Sequence, residues 1–326
     1  MNIVKLIVIA LFTAGFVSAK GQTVIMHHHN KIDDIKTSRE VVQLINLFLQ
    51  KNEDYRFDIE STYLNKAVSF KYKVDKKPAV TPLPWVKADF DSNGYTDLLV
   101  NVENRYWSKK GQNIILCIMD SGENRLYAKF LTNHRSDAAL ASLTSISEKP
   151  AIVYYHYSPN LIYTSGSHTL PYRLITDTLV YKFGDFIEYT SKAKNYEIAE
   201  IRYSYGPGIF GYFPGFTITL KMDGSLYYDG AVLNPDISNP TARVELSATI
   251  DNNHSEQLLD FLQYIDFERE QDNYRVRATD QPESFIEVTY NSGKTKNIED
   301  YGGQGTFALK RLYKIFSDLR YNQNWH

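Results

Sequence analysis

The hydrophobic positions of this chain repeat with two different periods. Between residues 56 and 189, short apolar stretches are separated by Gly, Asn and Ser, a pattern typical of β-strands joined by turns. At about 37–49, 252–265 and 306–319, apolar residues instead recur every three or four positions, which predicts amphipathic helices. The many strands and few helices predict an α+β fold, in which a few helices pack on antiparallel sheets.

A polar segment, TSKAKNYE at 190–197, interrupts the strand pattern and predicts a domain boundary near residue 195. We therefore expect two β-rich units, an N-terminal domain at 20–195 and an α+β domain at 196–326. In the second unit, the turn signals DGS and NSG each predict a β-hairpin. The strands predicted for the first unit read AVSFKYKV, DLLVNV, NIILCIMD, RLYAKFL, AIVYYHY and TLVYKFGDFIEYT.

The N-terminal segment has the parts of a secretory signal peptide. Lys5 lies in a short basic region, an apolar run covers 6–17, and small residues precede a cleavage site after Ala19. The apolar run is too short to span a bilayer comfortably, so a membrane anchor is the weaker interpretation. We expect removal of residues 1–19, a secreted or periplasmic bacterial protein, and no membrane span in the mature chain.

The charge balance and the cysteine content limit the partners and the cross-links that this chain can have. The 36 basic and 38 acidic residues nearly balance, so nucleic acid is not expected as a partner. The single cysteine, Cys117, excludes an intramolecular disulfide and is expected in the core, since aliphatic residues surround it.

After the signal peptide, the polar segment TVIMHHHNKIDD predicts a loosely held linker; the alternative is that His27, His28 and His29 bind a transition metal.

The stretch ADFDSNGYTDLLV, at 88–100, combines oxygen-bearing side chains with a spacing that suits calcium. Calcium takes about six to eight oxygen ligands, and alternate side chains of a tight loop converge on one ion. Gly94 allows the sharp turn, and the next residue usually contributes its main-chain carbonyl. An EF-hand would need a glutamate where Val100 stands. The predicted ligands are Asp89, Asp91, Asn93, Tyr95 (through its carbonyl) and Asp97.

This stretch resembles the D-x-D-x-N-G-x-x-D loop of FG-GAP/VCBS-type repeats, as found in integrin-like propellers. The resemblance implies a calcium ion with a structural role, clamping a loop between two strands. Those families carry several copies of the loop, whereas this chain has one, so a propeller is not implied. The alternative without metal is an acidic turn in which Asp and Asn side chains bond to nearby backbone groups.

The C-terminal part of the chain, about residues 196–325, is similar to a bacterial domain of unknown function, number 6438. The similarity rests on IRYSYGPGIFGYFPGFTITLKMDGSLYYDG, with DG at 223–224 and YDG at 228–230, and on the helices and hairpin that follow. FPGF at 213–216 stands where the family pattern has Cys-Pro-x-Tyr, so no redox or metal role of loop cysteines applies here. The resemblance implies an architecture and export, but no activity.

No nucleophile-and-base arrangement stands out, so we assign no catalytic and no cofactor-binding residue. The G-x-G-x-x-G match at 206–211 is followed by a predicted strand, whereas a dinucleotide site needs a helix there. We therefore expect an exported binding or scaffold module with an envelope or extracellular partner. The main alternative is a secreted hydrolase built from Glu299, Asp300, His254 and the loop at 206–215.

A glycan-binding protein is the other alternative that the sequence leaves open. It rests on Trp85, Trp107 and the tyrosines of YYHY (154–157), which would form an aromatic platform if they were exposed. Aromatic residues on strands usually belong to the core, which favours the first interpretation.

Overall fold

The computed structural model describes residues 27–49, 57–58, 82–104, 112–123, 125–131, 139–159, 172–206, 215–231, 243–276 and 278–326. The predicted signal peptide at 1–19 and the predicted strand at 67–74 lie outside these residues. Within them, the chain forms three sheets that are almost entirely antiparallel, together with three α-helices. The predicted β-rich α+β class is therefore confirmed.

The first sheet is buried on both of its faces. It consists of β1 (Phe57–Asp58), β2 (Trp85–Ala88), β3 (Asp97–Asn104), β4 (Gln112–Asp120) and β5 (Leu126–Phe130). Along β3, Leu98 and Val100 face one core while Leu99 faces another, because successive side chains of a strand point to opposite sides. That double burial explains why DLLVNV and NIILCIMD read as nearly continuous apolar runs.

A helix and an N-terminal arm (residues 27–35) cover one face of this sheet. The helix, α1 (Ser38–Leu49), begins with a capping box: the Thr37 N–H donates to Glu40 Oε2 (2.8 Å) and the Glu40 N–H to Thr37 Oγ1 (3.3 Å). The apolar side of α1 and the fully buried Ile32 of the arm pack on the sheet. The prediction of a loosely held linker is therefore wrong for the arm.

The second sheet packs on the other face of the first. It consists of β6 (Ala139–Ile146), β7 (Lys149–Pro159), β8 (Tyr172–Lys182) and β9 (Asp185–Glu188). The sequence pattern predicts no strand at β6, because its small and polar residues have weak strand preference. Asn101 of β3, 2% exposed, holds β6 in place: its amide donates to Ala141 O (3.0 Å) and accepts from the Ala141 N–H (2.8 Å). At this point the first and second sheets are joined by the buried side-chain amide of Asn101 instead of by strand pairing.

The third sheet carries two helices on one face. In spatial order its strands are β13 (Arg243–Thr249), β12 (Ser225–Ala231), β11 (Phe216–Lys221), β10 (Ile198–Gly206), β15 (Glu283–Tyr290), β16 (Lys294–Tyr301) and β14 (Asn273–Arg275). The predicted hairpins β11–β12 and β15–β16 are confirmed, while β14, parallel to β16, is not predicted. α2 (Asn252–Ile265) and α3 (Phe307–Asn322) bury their apolar sides in the core of this sheet. In the described part of the chain, no helix is long and apolar enough to cross a membrane.

β9 belongs to two cores and joins the N-terminal and C-terminal parts of the chain. Phe186 packs between the first and second sheets, whereas its neighbour Ile187 packs in the core of the third sheet. The next residue, Glu188, accepts hydrogen bonds from the N–H groups of Phe307 (2.7 Å) and Ala308 (2.9 Å), at the start of α3. The first N–H groups of a helix have no partner inside it, so Glu188 supplies a cap from a distant segment. Burial raises the pKa of Glu188, and the two hydrogen bonds oppose that shift.

Further contacts cross the predicted boundary near residue 195. Arg311 Nε donates to Phe183 O (3.0 Å), and the rings of Phe183 and Phe261 meet edge-on with 5.2 Å between their centroids. The two predicted domains therefore share packing through the β8–β9 hairpin. Their independent folding stays a prediction.

Cys117 lies on β4, in the core between the first and second sheets. It is 0% exposed, which confirms the prediction of a core thiol. Burial raises the pKa of this thiol well above its ordinary value, and the carboxylates of Asp97 and Asp91 add to the shift. The thiol is therefore protected from reagents both by its position and by its protonation.

We expect Glu188→Ala to lower the free energy of unfolding by roughly 1–2 kcal/mol, the usual range for loss of a helix cap. Glu188→Gln should fall between Glu188→Ala and the wild type, because the amide keeps one acceptor oxygen. Urea denaturation of the full chain measures the difference. Glu256→Gln, on the exposed side of α2, is the matched control and should unfold like the wild type. Equal stability of all variants would contradict the role of the cap.

Candidate metal centre

The acidic loop predicted to bind calcium connects β2 to β3. Ala88 at the end of β2 pairs with Asp97 at the start of β3, so the residues between them close a tight turn. Ser92 (φ 58°) and Gly94 (φ 89°) adopt the left-handed conformation, which glycine tolerates without strain. The predicted sharp turn at Gly94 is present.

This turn brings three of the predicted ligands together. One carboxylate oxygen from each of Asp89, Asp91 and Asp97 lies within 4.8 Å of the other two. The first two side chains are half-buried, and Asp97 is 0% exposed. Three carboxylates so close together form an all-oxygen donor set, which suits a hard cation better than a thiolate- or imidazole-preferring metal.

Hydrogen bonds inside the loop hold the carboxylates in position. Asp89 accepts from the N–H groups of Asn93 (3.0 Å) and Gly94 (2.9 Å). The Asn93 amide donates to Asp91 Oδ2 (3.1 Å), and its oxygen accepts from the Tyr95 N–H (2.8 Å). These bonds are those of the metal-free acidic turn, the alternative that the sequence leaves open.

Asp97 fixes the base of the loop. Its carboxylate accepts from the N–H groups of Phe90 (2.8 Å) and Asp120 (2.9 Å), which ties the loop to the end of β4. Burial raises the pKa of Asp97 to about 7, and the charges of Asp91 and Asp89 add to the shift. Burial also raises the pKa of Asp91 to about 6, with a smaller contribution from the Asp89 charge. Negative charge at this site is therefore costly unless a proton or a cation offsets it.

Asp120, which is not among the ligands predicted from the sequence, lies beside the loop. It is fully buried; its Oδ1 accepts from the Gly122 N–H (2.8 Å), and among the described residues its Oδ2 has no hydrogen-bond partner. Its main-chain oxygen accepts from the Asn93 amide (2.7 Å). In the sequence, Asp120 is marked only by its position at the end of an apolar strand, two residues before Gly122.

The N-terminal arm is bound directly to the loop. The His28 N–H donates to Gly94 O (2.8 Å), and the His28 ring stacks on Tyr95 with 5.0 Å between centroids. The Asn30 amide donates to Thr96 O (2.8 Å). His27 pairs with Asp33 (3.4 Å), and His29 pairs with Asp34 (3.2 Å). The three histidines therefore do not converge on one metal ion, as the transition-metal alternative would require.

The described residues of the hydrolase alternative are held by separate partners. Glu299 and Asp300 are neighbours on β16 and therefore point to opposite faces of the sheet. Glu299 pairs with Arg275 near the surface, whereas Asp300 is buried and accepts from the backbone that leads into α3. His254 pairs with the N-cap of α2, and most of the loop at 206–215 lies outside the described residues.

The described side chains of the glycan alternative do not form an exposed aromatic platform. Trp85 is partly buried against α1 and donates to Ser38 Oγ (3.2 Å), and Tyr154 and Tyr155 are buried. Trp107 lies outside the described residues. The described members of this set therefore belong to the core or its edge.

Without divalent cations, we expect Asp97→Ala to destabilise the protein by roughly 2–4 kcal/mol, because two buried N–H groups lose their acceptor. Asp91→Ala should be close to neutral under the same conditions, since its bonds lie within an exposed part of the loop. Urea denaturation in the presence of a chelator measures both. Equal losses in the two variants would show that Asp97 does not anchor the loop as described.

Comparison with known proteins yields a match for the C-terminal part only. No curated protein matches the chain. Residues 199–320 match the family model of a domain of unknown function, DUF6438. The matched segment excludes the acidic loop, so the likeness of that loop to FG-GAP/VCBS-type repeats stays a prediction. From β10 into α3, the chain is therefore similar to the DUF6438 family, as the sequence predicts.

Proposed function

We propose that this protein is an exported binding or scaffold module whose N-terminal unit is stabilised by one calcium ion. The observation that carries the proposal is the convergence of oxygens from Asp89, Asp91 and Asp97. Export rests on the signal-peptide pattern at 1–19. The partner would be an envelope or extracellular component.

The ion would act on structure. Asp89, Asp91 and Asp97 would hold it through their carboxylates, Asn93 through its amide oxygen, and Tyr95 through its carbonyl. Bound there, calcium would offset the carboxylate charge that burial makes costly at neutral pH. No step of a reaction is assigned to it.

The contacts of the loop support a clamping role. The loop residues Gly94 and Thr96 accept hydrogen bonds from the arm, and the arm leads directly into α1. Thr96 Oγ1 also donates to Asp33 Oδ1 (2.6 Å). An ion that stiffened the loop would therefore also stabilise the docking of the arm and α1 on the first sheet. A binding module benefits from such rigidity because less conformational freedom is lost when the partner binds.

Calcium should raise the melting temperature of the purified protein, because the unfolded loop does not gather the oxygen ligands. At about 100 times the dissociation constant, the expected stabilisation is about 2.7 kcal/mol. Asp91→Ala should remove most of this gain, whereas Asp318→Ala, an exposed acid on α3, should keep it. Identical melting curves with calcium and with chelator would refute the proposal.

The stabilisation by calcium should also grow with pH. Asp97 (pKa about 7) and Asp91 (pKa about 6) have folded pKa values above their ordinary 3.8, so the ion-free folded state binds more protons than the unfolded state between about pH 4 and 7. The contribution of these groups to ion-free stability therefore falls as pH rises through that range. Calcium competes with the protons, so the melting-temperature gain should be small at pH 5 and larger at pH 8. A gain that is larger at pH 5 would contradict the site.

A further inference from the structure

The outer face of the third sheet, opposite α2 and α3, carries a groove across β11, β12 and β13. Residues that pair directly across strands share a face of a sheet. Tyr227 of β12 lies between Thr219 of β11 and Ser247 of β13. Asp229, two residues further along β12, lies between Thr217 of β11 and Glu245 of β13.

These residues surround a depression of about 210 Å³. Thr217, Thr219, Tyr227, Asp229 and Glu245 contribute to its lining. Pockets for drug-sized ligands and cofactors usually measure about 300–1,000 Å³, so this one suits a single ring-sized ligand. It lies in the domain that resembles DUF6438 and is far in sequence from the acidic loop.

Tyr227 provides an aromatic wall for the groove. The side chain is on the surface, with 46% of the residue exposed. The face of an aromatic ring is electronegative and attracts positively polarised hydrogens. The Lys221 ammonium lies 5.2 Å from the centre of this ring, which is an exposed and therefore weak contact that a ligand can displace.

The charged groups of the groove balance one another. Asp229 and Glu245 face each other directly, an arrangement of like charges that costs stability unless something offsets it. Arg243 offsets it in part, with its Nε (3.1 Å) and Nη2 (2.6 Å) both on Asp229 Oδ1. Lys221 lies beside Tyr227, so the groove contains two carboxylates, Asp229 and Glu245, and two cations, Arg243 and Lys221. Among the described residues, the groove therefore has no excess charge with which to select an ion.

We propose that this groove binds one pyranose ring of a neutral glycan. The apolar C–H face of the sugar would stack on Tyr227, as the polarised hydrogens of C–H groups meet the ring face. The carboxylates of Asp229 and Glu245 would accept hydrogen bonds from neighbouring sugar hydroxyls, and the hydroxyls of Thr217 and Thr219 would bond to the rest. Two acceptors side by side match two neighbouring sugar hydroxyls, which gives a reason why Asp229 and Glu245 face each other.

This inference goes beyond the calcium-stabilised module and does not depend on it. The groove and the acidic loop use different residues on different sheets. Loss of calcium binding would leave the inference intact, and loss of glycan binding would leave the calcium proposal intact.

The test is titration of the full chain with neutral trisaccharides built from glucose, mannose, galactose and N-acetylglucosamine, and with trilysine as a cationic probe. Ligand-observed NMR and calorimetry measure binding. We expect at least one trisaccharide to bind saturably, and Tyr227→Ala to weaken that binding at least tenfold. Tyr227→Phe should keep most of it, because the ring remains. Tyr189→Ala is the matched control, since Tyr189 is exposed to a similar extent (42%) at another site.

Three outcomes would overturn the inference. The first is that no trisaccharide binds saturably to the folded wild type. The second is that a trisaccharide binds but Tyr227→Ala and Glu245→Gln bind it as well as the wild type, which would place the sugar elsewhere. The third is that trilysine alone binds and Glu245→Gln abolishes it, which would make the groove a site for cations. Melting curves establish that each variant is folded.

Discussion

Helix α3 begins against a carboxylate from a different sheet, and the arrangement of the molecule depends on that contact. Glu188 precedes Phe307 by 119 residues, yet it accepts the first N–H groups of the helix. Thr306 caps Leu309, so the cap at α3 is complete only when both segments are in place. Because Phe186 and Ile187 of the same strand enter two different cores, β9 sets how the first two sheets lie relative to the third.

The fold class and most elements follow from local patterns in the sequence. The capping box at Thr37 and the turn residues at 223–224 and 291–293 act within a few positions, so a sequence window contains all the information that they need. β6 and the N-terminal arm depend on partners far along the chain. β6 is held by Asn101, 40 residues earlier, and the arm by Thr96, more than 60 residues later. No local window contains those partners.

The same distinction separates the predictable part of the candidate site from the rest. The spacing of Asp89, Asp91 and Asp97 around Gly94 is enough to predict that their carboxylates approach one another. Asp120 comes from the neighbouring strand, so loop spacing does not reveal it. Adjacency in sequence can also mislead. Glu299 and Asp300 look like a pair but lie on opposite faces, because a strand alternates its side chains.

The single thiol of the chain has a consequence for conformational dynamics. Cys117 lies on a central strand of a sheet that is covered on both faces, and the chain has no other cysteine. A thiol reagent therefore reaches it only in molecules whose first two sheets have separated. The rate of its modification would report the opening free energy of that one interface, separately from fraying at the surface. The chain thus contains its own reporter of sub-global opening.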